Sequence, residues 1–367
     1  MGALEIVMVS ALNYPSLGGT ETHIIETSKR LAARGHRVTN LACDGFGDLK
    51  KTEILDEVEI KRFKAYPKNS DLYFSPKLIK ELKYLSADVI HIQGIHTLIA
   101  PTALWKLRKS RTPVVLSFHS GGHSSQIRKT LRSTQFKAIS RVLSPVKKAI
   151  AVSDFERSYF QDVFGKNGPP IDVVPNGTES LDAFKIGKVA SISRPTIVSA
   201  GRLVKYKGHH RLIEAIPYLT SEYPNIKVHI VGEGPYKPAL INLINRLGVS
   251  DHVTVESFRR DERGELFSLI GRANLMVLLS DYEAHPVSIL EACALGVPSL
   301  VLDSTGLHDL VKDQFAYPVA PGADAHEIAA RIKEMLKSKV QLNGMYQPTW
   351  ENTVDKLLEI YEEVTSQ

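Results

Sequence analysis

Cysteine is nearly missing from this chain of 367 residues: Cys43 and Cys293 are the only two, far apart in the chain. That spacing excludes a disulfide scaffold and a cysteine-ligated metal site. No stretch reaches ~18 uninterrupted apolar residues, so no segment reads as a membrane span. The opening MGALEIVMVSALNYP lacks the basic n-region of a secretory signal and reads as a strand and its following loop. A cytoplasmic protein is the expectation. The G-x-G-x-x-G that would follow the first strand of a dinucleotide-binding domain is also lacking. What is present is an ordinary globular balance, 43% apolar and 23% charged residues, which rules out a disordered or collagen-like chain. The length favours two domains over one.

The net charge of +6 is unevenly distributed. Residues 1–180 hold 26 basic and 17 acidic residues, a net of +9, and the remainder is net −3. Such asymmetry points the first half at an anionic partner: a nucleic acid, an acidic membrane surface or a phosphorylated substrate.

Short β-branched runs alternate with helical patterns almost throughout, which calls for parallel strands joined by crossover helices. Strands are expected at 5–10, 37–43, 58–63, 88–93, 113–118, 149–153 and 171–174, with helices at 20–34, 75–85, 98–109, 125–143 and 154–164. Between Pro175 and Pro195 the period fails and breakers accumulate, as in an interdomain connection. A second series follows, with strands at 196–200, 227–231, 253–258, 275–279, 299–302 and 315–319. Its helices are expected at 207–219, 237–247, 262–272, 287–295 and 325–336, and a last one at 351–363. Two doubly wound domains place their ligands at the carboxyl ends of their strands, with the cleft between the domains as the expected site.

Several strand ends carry residues suited to chemistry. After the first strand, Gly18 and Gly19 offer a tight backbone turn, Thr20 a helix cap and Glu21 a first-turn carboxylate. The segment SAGRLVKYKGHH puts Arg202 and Lys207 on one strand-to-helix loop, where a guanidinium and an ammonium can together neutralise a diphosphate. Gly232 and Gly234 bracket Glu233 at another strand end, allowing close approach of a ligand ring. The richest run is SDYEAHPVSILEACALGVP. His285-Pro286 marks a helix start, so the amides of Val287 and Ser288 form an anion site. Glu283 lies before that helix and Glu291 within it, on the side that can hold a ribose diol. His119 ends the strand PVVLSFHS, with His123 close behind it.

Together these segments resemble the retaining glycosyltransferases of family 4. The resemblance rests on GGTETH, FHS at 118–120, PNG at 175–177, GRLVKYKG at 201–208, VGEGP at 231–235 and the pair Glu283 and Glu291. It implies an α/β protein of GT-B architecture, two facing Rossmann-like doubly wound domains with an interdomain cleft. Residues 1–180 would bind acceptor, residues 181–349 would bind nucleotide-sugar, and a helix at 350–365 would pack back on the first domain. By the same resemblance, Arg202 and Lys207 hold the diphosphate, Glu291 the ribose and Glu283 the sugar, with Gly232, His285, Val287 and Ser288 completing the donor site. Gly18 and Gly19 approach the donor, and His119 sits near the transferred sugar and counts with Glu283, Arg202 and Lys207 as catalytic. Glu21, His123 and Arg128 fall on the acceptor side. The implied reaction moves a sugar from a nucleotide-sugar, a UDP-sugar such as UDP-N-acetylglucosamine or UDP-glucose first, to an acceptor hydroxyl as an α-glycoside. No metal and no cofactor beyond the co-substrate is implied, and no nucleic acid partner. The acceptor is a glycan, a lipid-linked or a small molecule.

The sequence departs from the family pattern in two places. Ala284-His285-Pro286 replaces the usual Gly-Phe after the first Glu, and Ser304-Thr305-Gly306-Leu307-His308-Asp309 replaces a paired glycine and Glu. These changes bear on the sugar and the base. A GT-B UDP-sugar epimerase would share the diphosphate site, whereas an NAD-dependent oxidoreductase needs the missing glycine fingerprint. A catalytically idle scaffold would tolerate alanine at both Glu283 and Glu291. Finally, QIRKTLRSTQFKAISRVLSPVKK carries Arg128, Lys129, Arg132, Lys137, Arg141, Lys147 and Lys148 with no acidic residue, over an apolar stripe of Leu131, Phe136, Ile139, Val142 and Leu143. Such a segment suits peripheral contact with the cytoplasmic face of a membrane, or equally a crossover helix with its stripe on the sheet.

Overall fold

The structure, a computed structural model, describes residues 2–16, 18–45, 47–67, 73–120, 136, 139–179, 194–338 and 348–366. It divides into two compact units. One comprises Met1–Gly121, Ser125–Gly177 and Pro348–Gln367, the other Gly122–Ser124 and Thr178–Gln347.

In the first unit, strands β1 (Glu5–Ser10), β2 (Arg37–Asp44), β3 (Thr52–Leu55), β4 (Val58–Lys64), β5 (Val89–Gln93), β6 (Val114–Ser117), β7 (Val146–Ala151) and β8 (Ile171–Val173) form one sheet, in the order β3-β4-β2-β1-β5-β6-β7-β8. All neighbours are parallel except β3 and β4. The helices are α1 (Gly19–Ala33), α2 (Pro76–Glu81), α3 (Ile99–Leu107), α4 (Asp154–Phe164) and, after the second unit, a C-terminal helix over Trp350–Thr365. Successive side chains of a strand point to opposite faces, and both faces here are dry. Val7 and Val9 of β1 enter one core with Ala103, Leu104 and Phe160 of α3 and α4. Ile6 and Met8 enter the other with Ile24 and Leu31 of α1 and Val354, Leu357 and Tyr361 of the C-terminal helix.

That last helix is fixed to the first unit mainly by apolar burial. Each such side chain contributes about 1.5–3 kcal/mol. The exposed pairs Arg30–Glu351 and Arg34–Asp355, at 2.7 and 2.5 Å, are each worth about 0–1 kcal/mol. Thr349 caps the helix, and Thr353 donates its hydroxyl to the Pro175 carbonyl at 2.9 Å. Gly177 of the PNG run lies so close to the Trp350 amide that a Cβ there would overlap it.

The second unit contains β9 (Thr196–Ala200), β10 (Lys227–Val231), β11 (Val253–Glu256), β12 (Leu275–Leu278), β13 (Ser299–Leu302) and β14 (Tyr317–Val319), all parallel, in the order β11-β10-β9-β12-β13-β14. Its helices are α5 (His209–Thr220), α6 (Lys237–Arg246), α7 (Arg263–Arg272), α8 (Val287–Ala294), α9 (Gly306–Lys312) and α10 (Ala325–Lys337); the C-terminal helix is then α11.

The strand rhythm agrees with the sequence reading to within a few residues. The exceptions have local causes. Strand β3 pairs with β4 through a two-residue turn in which Asp56 and Glu57 both have positive φ. Such turns usually announce themselves by Asn-Gly or Asp-Gly, and Asp-Glu gives no such signal. Thr20 does not cap α1: the helix starts one residue earlier, with Gly18 at its N-cap in an extended conformation. Gly18 has φ −175°, which any residue can adopt, and a side chain at Gly19 would meet open space, so neither glycine is needed for a tight turn. Helix α9 begins at Thr305-Gly306, in the run that departs from the family pattern, where the sequence reading named no helix. The expected helix at 125–143 lies outside the described residues except for Phe136 and 139–143. There Phe136, Ile139 and Leu143 are buried in the core, so those stripe residues face inward and are unavailable to a bilayer.

Candidate active site

Among the parallel strands of each sheet the order reverses between β1 and β5 in the first unit and between β9 and β12 in the second. Loops at the carboxyl ends of strands diverge at such a switch point and leave a crevice for a ligand. The sequence-derived candidates among the described residues fall at or next to these two points.

In the first unit three separated motifs converge. His23, in the GGTETH run, is fully buried, and its Nδ1 lies 2.9 Å from Oδ1 of Asn176 in the PNG run. The His23 ring packs edge-on against that of His119, centroids 4.7 Å apart, and against Trp350 at 6.0 Å. His119 follows β6 at φ +50°, a left-handed conformation costly for a residue with a Cβ. Its backbone is braced from α4: the next residue, Ser120, donates its amide to Glu156 at 2.5 Å, and the other Glu156 oxygen accepts from Val152 at 2.7 Å. Burial pushes the Glu156 carboxyl up to about 8, although these two amides pull it back. The His119 ring is braced from β5, with Nε2 2.7 Å from Oε1 of Gln93. Burial first, then the neighbouring histidines His23, His91 and His96, hold the His119 imidazole well below its ordinary range, so it is neutral.

In the second unit the loop after β9 meets the loop after β12. Lys205–Lys207 form a single 3-10 turn that ends at Gly208, with φ +73°. A Cβ there would collide with the Leu279 carbonyl, so only glycine lets the loops touch. This contact aligns Lys207 with Glu283, Nζ to Oε1 at 2.5 Å. Ser280 donates to the same oxygen at 2.7 Å, and the Glu283 amide donates to Thr305 Oγ1 at 2.9 Å. Burial alone would lower the Lys207 ammonium, but the Glu283 carboxylate more than offsets it and raises it above its ordinary value. Arg202, on the same loop, is exposed. Tyr206 and Tyr282 stack at 4.3 Å, and Arg211 ties the base of the β12 loop through Asp281 at 2.5 Å and the Leu279 carbonyl at 2.6 Å. Pro286 is the N-cap of α8. The amides of Val287 and Ser288 therefore stand in the first turn, where a helix offers donors without intrahelical partners. One turn further, Glu291 is buried and paired with Arg263 of α7, whose guanidinium lies over the Phe267 ring at 5.0 Å. One loop cluster thus presents two cations, two carboxylates and a helix N-terminus, a donor set that matches a nucleoside diphosphate linked to a polyol.

The model of "Glycosyltransferase Family 4" matches residues 17–180, and that of "Glycosyl transferases group 1" matches residues 185–349. The chain belongs to the glycosyltransferases of family 4, group 1. This glycosyltransferase is 23% identical to a phosphatidylinositol N-acetylglucosaminyltransferase chain of Homo sapiens, over 98% of this protein and 76% of that one. It is also 23% identical to phosphatidyl-myo-inositol mannosyltransferase of Mycobacterium leprae, over 99% and 98%. Among solved structures it superposes on sucrose-phosphate synthase from Thermosynechococcus elongatus with a TM-score of 0.76 at 18% identity, covering 99% of each chain. Anabaena HepE in complex with UDP and glucose gives 0.72 at 18% identity, covering 98% and 99%. These likenesses give the glycosyltransferase the GT-B fold.

Within that fold the expected donor residues have neighbours that the sequence did not show. Gly232 and Gly234 have a packing reason that the sequence did not show: their Cβ positions are occupied by the carbonyls of Gly201 and Leu203. These glycines pack the loop after β10 onto the Arg202 loop and so support it from behind. Glu291 is not an open carboxylate, since Arg263 takes one of its oxygens. Glu21 lies in the first turn of α1, whereas His123 and Arg128 lie outside the described residues. Sequence reasoning missed Gln93, Glu156, Ser280, Thr305 and Arg263. Gln93, Glu156 and Arg263 come from other strands or helices, where no local motif marks them; Ser280 opens the SDYEAHP run and Thr305 follows β13, and nothing in the sequence pairs either with Glu283.

The buried histidines make the glycosyltransferase acid-sensitive. Burial lowers His23, His209 and His285 to about 4, and His91 to about 3 with His23 adding to the effect. All four are neutral in the fold yet titrate near 6.5 when unfolded. Stability is therefore full above pH 6.5 and is lost as pH falls towards 4, because the unfolded state binds the extra protons. Each should cost about 2 kcal/mol at pH 5. Glu156, raised to about 8, works the other way because the folded state binds its proton first, and it offsets part of this loss. The midpoint at pH 5.0 should still lie below that at pH 7.5, and a higher midpoint at pH 5.0 would contradict neutral burial of the histidines.

Proposed function

We propose that the glycosyltransferase moves a hexose or N-acetylhexosamine from a nucleoside diphosphate, UDP in the first place, to a hydroxyl of a lipid-linked acceptor, with retention of α-configuration. The observation that carries this reading is the cluster at the second switch point. Arg202 and Lys207 neutralise the diphosphate with the Val287 and Ser288 amides, Glu291 accepts from the ribose hydroxyls, and Glu283 accepts from the sugar. The sugar C1–phosphate bond breaks as the C1–acceptor oxygen bond forms on the same face, and the acceptor proton passes to the departing phosphate oxygen. Growing negative charge on that phosphate is what the two cations stabilise. A lipid-linked acceptor is favoured by the relatives whose names specify phosphatidylinositol, and by the +9 net charge of residues 1–180. Among the described residues no helix is long and apolar enough to cross a membrane, so contact with lipid would be peripheral, through basic side chains, at the cytoplasmic face.

The test begins with a thermal-shift screen of UDP-glucose, UDP-N-acetylglucosamine and GDP-mannose. A ligand at 100 times its dissociation constant should add about 2.7 kcal/mol. The stabilising donor, radiolabelled, is then incubated with anionic or neutral vesicles at low and moderate salt. Label in the lipid phase of anionic vesicles, falling with salt, is expected. Stabilisation by no nucleotide-sugar, or an epimerised donor without acceptor, would overturn the reading.

A further inference from the structure

Within the second unit the loop after β13 grips the loop after β12. Ser304 donates its hydroxyl to the Asp281 carbonyl at 3.3 Å and lies 3.5 Å from that of Ser280. The Glu283 amide donates to Thr305 Oγ1 at 2.9 Å, and the Glu283 carbonyl accepts from the Gly306 amide at 3.0 Å. Glu283 is thus held by both of its backbone polar groups as well as by its side chain. The side-chain bonds, from Lys207 and Ser280, both go to Oε1. Among the described residues this leaves Oε2 as the oxygen that can accept from a ligand.

Thr305 makes its contact from a costly backbone. Its φ and ψ are +50° and −136°, and it is the one β-branched residue with positive φ among the described residues. Such a residue is a steric outlier there, and holding it costs stability. Gly306 beside it has a packing reason, since a Cβ would collide with the Ala284 carbonyl. At position 305 a glycine would adopt the same backbone with less strain, but it would lack the hydroxyl that takes the Glu283 amide. Both residues stand in the run that replaces the family's paired glycine.

We propose that Thr305 is a positioning residue whose hydroxyl sets the Glu283 backbone so that Oε2 meets the donor sugar, and that the strained backbone is retained to keep that hydroxyl. The inference deepens the proposed function and rests on it for the contact of Glu283 with the sugar. The two grips do different things. Lys207 and Ser280 fix the rotation of the carboxylate, whereas Thr305 and Gly306 fix where the side chain starts. A reacting group misplaced by about 1 Å can cost about 10²-fold in rate. Strain and hydroxyl belong to one side chain, so stability and activity respond to different parts of it. Stability answers to the Cβ and its φ, activity to the oxygen.

The first readout needs no substrate. Amide hydrogen exchange of the full chain should find the Glu283 amide protected in wild type and in Thr305→Ser, which keeps the hydroxyl. Thr305→Ala and Thr305→Gly should lose that protection. The second readout is stability. Glycine relieves the positive φ and alanine does not, so Thr305→Gly should melt a few degrees above Thr305→Ala. The third is kinetic. Both of those variants should lower kcat about 10–100-fold, with the affinity for the free nucleoside diphosphate unchanged, and Thr305→Ser should recover most of the loss. Activity then follows the hydroxyl while stability follows the backbone, an order that a purely structural role does not give. Wild-type kcat in Thr305→Ala or Thr305→Gly overturns the inference. So does a kcat that ranks the variants as their melting temperatures do, or a Glu283 amide as protected in Thr305→Ala as in wild type. The expected exchange and melting pattern in a protein that turns over no nucleotide-sugar would uphold the grip of Thr305 on Glu283 and count against the proposed function.

Discussion

Arg202→Ala should reduce turnover by about 10²–10³-fold while leaving the melting temperature close to that of wild type. The magnitude is that for removing one donor aimed at charge developing in a transition state. The second half follows from exposure: Arg202 is open to solvent on the loop after β9, and replacing an exposed side chain alters stability by about 0.5 kcal/mol or less. Lys207→Ala is a less clean experiment. It removes the partner of Glu283, and a largely buried carboxylate that loses its counter-charge costs several kcal/mol. Its melting point should fall along with its activity. A comparison of the two variants therefore separates charge stabilisation from structural support. Wild-type turnover in folded Arg202→Ala would end the diphosphate assignment.

The two carboxylates should fail in different ways. Glu291→Ala is expected to weaken binding of free UDP about 10–100-fold, since a hydrogen bond to a charged group is worth about 1.5–3 kcal/mol. Glu283→Gln should leave that affinity within about threefold and slow sugar transfer, because its oxygen lies among Lys207 and Ser280, away from the helix that carries Glu291. Arg263 complicates the first variant, as it loses its carboxylate partner. Arg263→Ala is the control: it removes that guanidinium and keeps the Glu291 carboxylate, so it should cost less nucleotide affinity than Glu291→Ala. Calorimetry with UDP, which lacks the sugar, reads these differences directly. Equal losses of UDP affinity in Glu291→Ala and Glu283→Gln would refute the division of roles.

The candidate site was legible in the sequence to an uneven degree. Arg202, Lys207, Glu283 and Glu291 stand out because each follows a strand whose β-branched run marks its end, and because sheet topology puts strand ends at ligands. The packing role of Gly232 is one that sequence cannot reveal. A glycine that admits a ligand and one that admits another loop's carbonyl look identical along the chain, and only the position of Gly201 distinguishes them. The basic segment after His119 shows the same ambiguity from the other side. Its helical stripe fits a bilayer or a sheet equally, and the burial of Phe136, Ile139 and Leu143 decides for the sheet at those positions.

By itself the sequence determined the alternation of strand and helix, the break between two α/β series and the loops that carry charge, all of which follow from local periodicity and backbone preference. Tertiary structure alone decided who meets whom: His23 with Asn176 across 153 residues, Lys207 with Glu283 across 76, and Tyr361 with His91 across 270. The physical reason is that a buried hydrogen bond has direction and a reach of about 3 Å, whereas the patterns that fold a strand or a helix specify only which side faces the core. Tyr361, near the other end of the chain, reaches His91 because sheet register and helix docking, set by apolar burial, bring that hydroxyl to β5.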